Sequence, residues 1–459
     1  MKKTAIALVL AVPIIAYPAA SWVIGGQADA LLVEQYAQLD DNEIIKIAER
    51  KMQRGIFSSE EVVTFEFQPQ FIEQLRALSN NDEEVQAPIE PVRFSFRTRI
   101  NHGPLPEFSS VGLATAHTEL ELNHPLVTTL YAGKSPLTSD TTIDFSGKTH
   151  ERIRSPAVSS VVDGSTSSWG EFVLDVTYDR SMTEWTYQGG LPYIKLGTED
   201  GSQSLEMKDL ALEGQQSRLF ADNPYMFTGP VKFTLQSMET TGMCEDQLPV
   251  RLNNMLIQSN VTEKEGFIDI LADYSIESMQ LGEQDYHAAR FALALRHLEA
   301  KALAELNLVV QSVDTEGELD MEQIKPLLRP LQVLLENSPE IVIEHMGVTT
   351  PEGEIKASAM IKLPNANVGN LEAAVENPLM LMGLAAVLEA STQLAVPQAL
   401  LMASLSEEQA EMLPPLIQSG YVLDKNGQLS TSISYAQGEV RVNGRPLDPS
   451  VMQGKSDAN

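Results

Sequence analysis

The chain has 459 residues, 43% hydrophobic and 21% charged, a balance that belongs to a globular protein and argues against a disordered one. Thirty-two Lys and Arg stand against sixty-three Asp and Glu, a formal net charge of −31, so the surface repels phosphate backbones and argues against nucleic acid as a partner. The single cysteine, Cys244, rules out an intrachain disulfide and every Cys-rich zinc pattern, and the length predicts one elongated domain or two to three sub-domains.

Lys2 and Lys3 precede an uncharged run from Thr4 to Gly26. About 20 such residues, at ~1.5 Å rise each, match the roughly 30 Å hydrocarbon slab of a bilayer. Thr4, Ile6, Leu8, Leu10, Ile14, Ile15, Trp22 and Ile24 are the expected membrane-anchor residues, with the Trp22 indole suited to the interface. A cleaved signal peptide is the rival reading, and retention is favoured because the apolar run is long. The lysines before the run and Asp29, Glu34, Asp40 and Asp41 after it place the tip in the cytoplasm and the body in the periplasm, in a single pass through a bacterial inner membrane.

Loose helical spacing of Leu31, Leu32, Tyr36, Leu39, Ile44, Ile45 and Ile47 predicts a stalk or docking helix ending at Gly55, with Phe57 entering the core. Alternation at a period of two then predicts strands: Val63-Phe65-Phe67, the clear run from Val92 to Ile100, and segments around Leu120, Ile143, Phe172–Tyr178, Trp185–Tyr187 and Val231–Leu235. The Ala-, Leu- and Arg-rich stretch Asp285–Asn307 and the stretch Met321–Glu336, with Pro326 and Pro330 inside it, predict helices. Strands resume at Ile341, with a turn at Pro351-Glu352-Gly353; Leu384–Val396 fits helix or strand. Asp424-Lys425-Asn426-Gly427 and Asn443-Gly444 are hairpin signals.

The expected fold is α+β and β-rich: extended antiparallel meandering sheets with a few packed helices, preceded by one N-terminal transmembrane helix. The expected division is 1–26 cytoplasmic tip and anchor, 27–55 stalk, 56–282 β-rich periplasmic region, 283–340 helical segment, 341–452 C-terminal β-rich region with helices, and 453–459 flexible tail.

Three strings, Arg54-Gly55-Ile56-Phe57-Ser58-Ser59, Asn101-His102-Gly103-Pro104-Leu105-Pro106 and Tyr435 to Gly444, resemble the YdgA-like family of bacterial envelope proteins of unknown function, over most of the chain and in the same order. The resemblance implies inner-membrane attachment, a periplasmic body and room for self-association. It brings no catalytic residues.

No nucleophile elbow, phosphate loop, zincin helix or dinucleotide fingerprint occurs, and no two of the seven histidines have i, i+4 spacing, so no catalytic, cofactor or metal residue is assigned. Arg93, Arg97, Arg99 and His102 form a candidate anion- or carboxylate-binding patch; the plainer reading pairs the arginines with acidic residues on neighbouring strands. Three functions stay open: a non-enzymatic envelope scaffold or self-associating module, which is favoured; a binder or carrier of an apolar ligand such as lipid in a sheet groove; and, last, a hydrolase with scattered carboxylates. The partners implied are the bilayer, a second copy or an envelope protein, and an apolar ligand; no cofactor is expected.

Overall fold

Where apolar and polar residues alternate, the chain pairs into antiparallel strands. The structure, a computed structural model, describes residues 17–18, 20–26, 44–69, 71–72, 92–108, 110–122, 124–162, 164–221, 223–242, 248–312, 321–364, 366–367, 369, 371–376 and 382–447. These fall into two compact units, Met1–Gly201 and Ser202–Asn459.

In the first unit, β1 (Ile45–Arg54), β2 (Ser58–Phe67), β3 (Arg93–His102), β4 (Ala114–Glu121), β5 (Thr138–Ile143) and β6 (Thr149–Ser155) each pair with the next. β6 and β7 (Val158–Val162) are one line interrupted at Pro156-Ala157, where proline offers no N–H. β8 (Ser165–Trp169) and β9 (Phe172–Tyr178) are likewise one line interrupted at Gly170-Glu171. The register carries straight on: Ser155 faces Phe172 and Val158 faces Trp169. β10 (Glu184–Thr198) closes the meander by pairing with β9 through its first half and β8 through its second. Val63 and Phe65 are buried, and Phe65, Phe67, Phe94 and Phe96 make a ring cluster with centroids 5.2–5.9 Å apart. These are the alternating residues that predicted β2 and β3.

In the second unit β11 (Ser204–Phe220), β12 (Asn223–Thr241), β13 (Val250–Lys264), β14 (Phe267–Leu281), β15 (Gln284–Glu299), β16 (Glu340–Thr350), β17 (Gly353–Lys362) and β18 (Glu389–Pro397) pair in chain order. β20 (Gln428–Ala436) lies against β18, and its other edge takes β19 (Leu423–Lys425) and then β21 (Glu439–Val442). Helices Ala300–Ser312 and Met321–Glu336 connect β15 to β16. The first is started by Glu299, whose carboxylate accepts from the Ala302 N–H at 2.6 Å. Buried Asn223 ties it to the sheet by donating to the Ala304 carbonyl at 3.2 Å. The second, with both prolines inside it, puts Leu328 into a core with Ala366 and Leu371.

Several expectations need correction. Ile45–Arg54 is strand, and Gly55 lies in the turn to β2, its N–H donating to the Ser58 carbonyl at 2.8 Å. Phe57 is half-exposed rather than core. Gln284–Glu299 is strand and only from Ala300 is the chain helical, because β14 and β16 offer a full ladder on both edges and tertiary pairing overrides helix propensity. The expected border at 282/283 falls in the β14–β15 hairpin, where Leu281 faces Gln284; the unit border is at Gly201. Leu384–Val396 is both things, a short helix (Met382–Val387) running into β18. The two Asn-Gly hairpins form as expected, with Asn426, Gly427, Asn443 and Gly444 all at positive φ.

Of the expected anchor, Thr4, Ile6, Leu8, Leu10, Ile14 and Ile15 lie outside the described residues, as do most of the stalk, Cys244 and the tail; Trp22 and Ile24 are helical. Among the described residues no helix is long and apolar enough to cross a membrane.

Candidate functional site

The arginines of the candidate anion patch sit on the first unit's polar face. A line drawn across β2, β3, β4, β5, β6 and β9 reads Glu60, Arg99, His117, Asp140, Arg152, Asp175, acids and bases interspersed so that each acid lies beside a base. Neighbouring charges join diagonally: Arg97 donates to Glu60 and Glu121, each at 2.7 Å, and Arg154 to Asp140 at 2.6 Å. Arg93 pairs with Glu66 at 2.7 Å. Hydrogen bonds to Glu121 and Glu60 push the Arg97 guanidinium pKa up, and the bond that His117 makes to Asp140 raises that of His117. Arg54, Arg97, Arg99 and His117 also line an open cleft of about 680 Å³, but Glu60 and Glu119 line it too. Arg93 and Arg97 are therefore held by carboxylates, as the plainer reading had it.

His102 is separated from that patch. It is buried, and its ring joins two turns. Nδ1 lies 3.1 Å from the Ile56 carbonyl, so it donates; Nε2, 2.8 Å from Ser59 Oγ, accepts. Both nitrogens are used by a neutral imidazole, and burial lowers its pKa further, helped by the nearby Arg54 charge. The described end of the N-terminal segment docks here. Ser21 Oγ donates to the His102 carbonyl, and a Cβ at Gly25 would stand 2.3 Å from the imidazole, so only glycine fits. Arg54 donates to the Trp22 carbonyl and lies 4.1 Å from the centroid of its indole. Tyr17 stacks on Phe57 and Phe108 and donates to the Leu105 carbonyl at 2.8 Å. Two of the three strings noted in the sequence thus meet at one corner, and they grip residues 17–26.

The second unit carries a broad apolar face. One transverse row across its strands reads Leu212, Phe233, Ile257, Tyr274, Phe291, Met346, Ala357, Leu394, eight strands without a polar residue other than the Tyr274 hydroxyl. The next row on the same face reads Leu210, Leu235, Met255, Ile276, Ala289. On the other side lie Leu293, Ile343, Ala359, and beyond them Val261, Ile270, Leu295, Ile341, Ile361 and Ala390. Residues one step along the strands, Glu213, Lys232, Gln258, Asp273 and Arg290, point the other way and pair among themselves, Arg290 to Asp273 at 2.7 Å. The apolar face is not closed over: Tyr274 is 44% exposed, Met346 46% and Ile341 49%. Between the first two rows runs a groove of about 410 Å³, walled by Met255, Ile276 and Val348 against Tyr274, Phe291 and Met346. Leu256, Ser275, Arg290 and Gly347, the residues between the rows, line its floor. At Gly347 a Cβ would meet the Ile355 carbonyl oxygen at 2.7 Å, so glycine keeps the strands close at that point. Among the described residues no group of three or more His, Cys, Asp or Glu is placed to hold a metal ion.

Sequence reasoning singled out His102 but none of its partners, since nothing in spacing links Gly25 or Ser59 to position 102. It offered the Leu-, Met- and Ala-rich stretch between Pro378 and Met412 as the lining of an apolar groove, whereas the groove between these rows is lined by residues 255–256, 274–276, 289–291, 346–348 and 355.

The chain belongs to a family of bacterial proteins of unknown function, DUF945, whose model matches residues 1–450. No curated protein and no solved structure matches the chain.

Proposed function

We propose that this DUF945 protein is a non-enzymatic binder of an apolar, lipid-type ligand, which lies along the apolar face of the second unit. In this reading the N-terminal run tethers the chain to the bacterial inner membrane with its body in the periplasm, as the resemblance to the YdgA-like envelope proteins implies. The observation that carries the reading is the eight-strand apolar row with its groove. At ~4.8 Å between strands the longest row is roughly 34 Å long, and at ~3.4 Å rise per residue the four rows span roughly 20 Å across it, the scale of the ~300–600 Å² patches that on a monomer surface are often functional. The groove volume of about 410 Å³ lies within the roughly 300–1,000 Å³ of small-molecule clefts.

A scaffold role would cover the same face by packing two copies sheet on sheet. Charge weighs against it, because two chains of −31 each would be brought face to face, whereas a hydrocarbon ligand adds no charge. A protein partner would also be expected to meet polar groups at about one hydrogen bond per 100–200 Å², and these rows provide almost none.

The test is photo-crosslinking in cells, with benzoylphenylalanine in place of Tyr274 and, as a control on the polar face, in place of Lys232. Lipid-mass adducts at 274 and none at 232 are expected. Adducts of this same protein, or of another protein, at 274 would replace the carrier reading with the scaffold one.

A further inference from the structure

At the His102 corner an exposed apolar surface surrounds the point where the N-terminal segment meets the body. Phe108 is 79% exposed and Val111 71%, and Ile56, Phe57, Leu105 and Trp22 are each exposed by about two-fifths or more. This is a cluster of side chains from three separate stretches of sequence, not a scatter. Glu107 and Phe108 both adopt left-handed backbone angles, φ 51° and 57°, an unfavourable conformation for residues with a Cβ. The conformation turns Glu107 back to accept from Asn101 Nδ2 at 2.8 Å and leaves Phe108 outside. In a chain of net charge −31, the loop from Gly103 to Leu113 carries that one charge alone, and it is tied down.

We propose that this corner is a collar that sits in the membrane interface, with Phe57, Leu105, Phe108 and Val111 inserted among the lipid headgroups around the emerging N-terminal segment. What selects lipid as the occupant is continuity. Residues 4–26 form a single uncharged run, and its described end, Tyr17 to Gly26, is clamped to the corner by His102, Arg54, Phe57 and Phe108. With residues 17–26 clamped to the body, 4–16 of the run are left to enter the bilayer, about 20 Å at a helical rise against a slab of roughly 30 Å, so the corner itself is drawn into the interface. The composition fits that depth: Tyr17, Trp22, Phe57 and Phe108 include the Tyr and Trp that collect at the membrane–water boundary. The inference is independent of what the second unit binds and rests on the anchor reading alone.

The experiment uses the full chain in phosphatidylcholine vesicles, a neutral lipid chosen because the acidic body repels anionic headgroups. With Cys244→Ser as background, Phe108→Cys and, separately, Val111→Cys carry an environment-sensitive NBD label. Ser181→Cys, in the exposed hairpin between β9 and β10, is the control. The collar predicts blue-shifted emission at 108 and 111 that nitroxide-labelled phosphatidylcholine quenches and aqueous iodide does not, with the reverse at 181. Iodide quenching at 108 and 111 equal to that at 181 overturns the proposal. So does shielding from both quenchers, which would mean that protein rather than lipid covers the corner, and so does failure of the chain to float with the vesicles.

Discussion

Two lines of side chains, each running straight across a sheet, show how differently the two units use one backbone plan. In the first unit the line from Glu60 to Asp175 mixes acids and bases over six strands; in the second the line from Leu212 to Leu394 is apolar over eight. Antiparallel register puts both in line, since residues directly opposite share a face. The charged line is complete in water, each member having a neighbour of opposite sign and the solvent behind it. The apolar line is left half in water at Tyr274 and Met346, and that exposed stretch is what the proposed ligand would cover.

The comparison breaks most easily where burial changes what a charge pair is worth. Arg50 donates to Glu61 at 2.6 Å, and Glu61 is buried. Arg50→Leu removes that bond from a buried carboxylate and should cost about 3–5 kcal/mol. Arg152→Leu in the exposed ladder should cost below ~1 kcal/mol. Urea unfolding of both variants measures the gap, and equal losses would mean that the ladder is core. In the second unit Ile268 has no exposed surface, and Ile268→Ala should cost about 2–5 kcal/mol through the cavity it leaves. Met346→Ala, at the same test, should cost below ~1 kcal/mol, because its side chain is half in water already. A large loss there would show that the apolar row is covered and has no ligand to find.

The smallest effect separates two histidines by sign. Burial depresses the His102 pKa below 6.5, so the unfolded chain binds more protons at mildly acid pH and stability falls as pH drops through 6.5, levelling off below the depressed value. The Asp140 bond raises the His117 pKa, so its contribution is full below 6.5 and fades as pH rises through the raised value. Unfolding free energies of His102→Gln and His117→Gln, compared with the parent over about pH 5 to 8, should deviate in opposite directions.

How much of this the residues disclose beforehand depends on the range of the interaction. Local signals read well: the alternation from Val92 to Ile100 marks β3, and Asn426-Gly427 and Asn443-Gly444 make their hairpins because only such residues adopt two successive positive φ angles cheaply. Asp285–Glu299 misleads because its composition favours helix while its odd-numbered residues Phe291, Leu293 and Leu295 carry a period of two that only β14 and β16 make decisive. The apolar face is legible strand by strand, but its continuity depends on seven registers that no single strand encodes. The His102 corner is the least legible: positions 21, 25, 54, 59 and 102 meet through topology, and only the two strings around 54–59 and 101–106 hinted that they matter.

The most direct test is the lipid carried by the purified full chain, extracted and quantified per polypeptide, beside a Tyr274→Asp, Met346→Asp double variant of unchanged stability. Lipid bound in stoichiometric amount by the parent and reduced at least about tenfold in the variant, equivalent to ~1.4 kcal/mol of lost binding, is the predicted result. Equal lipid content in the two proteins would contradict the assignment of the apolar face as the binding surface.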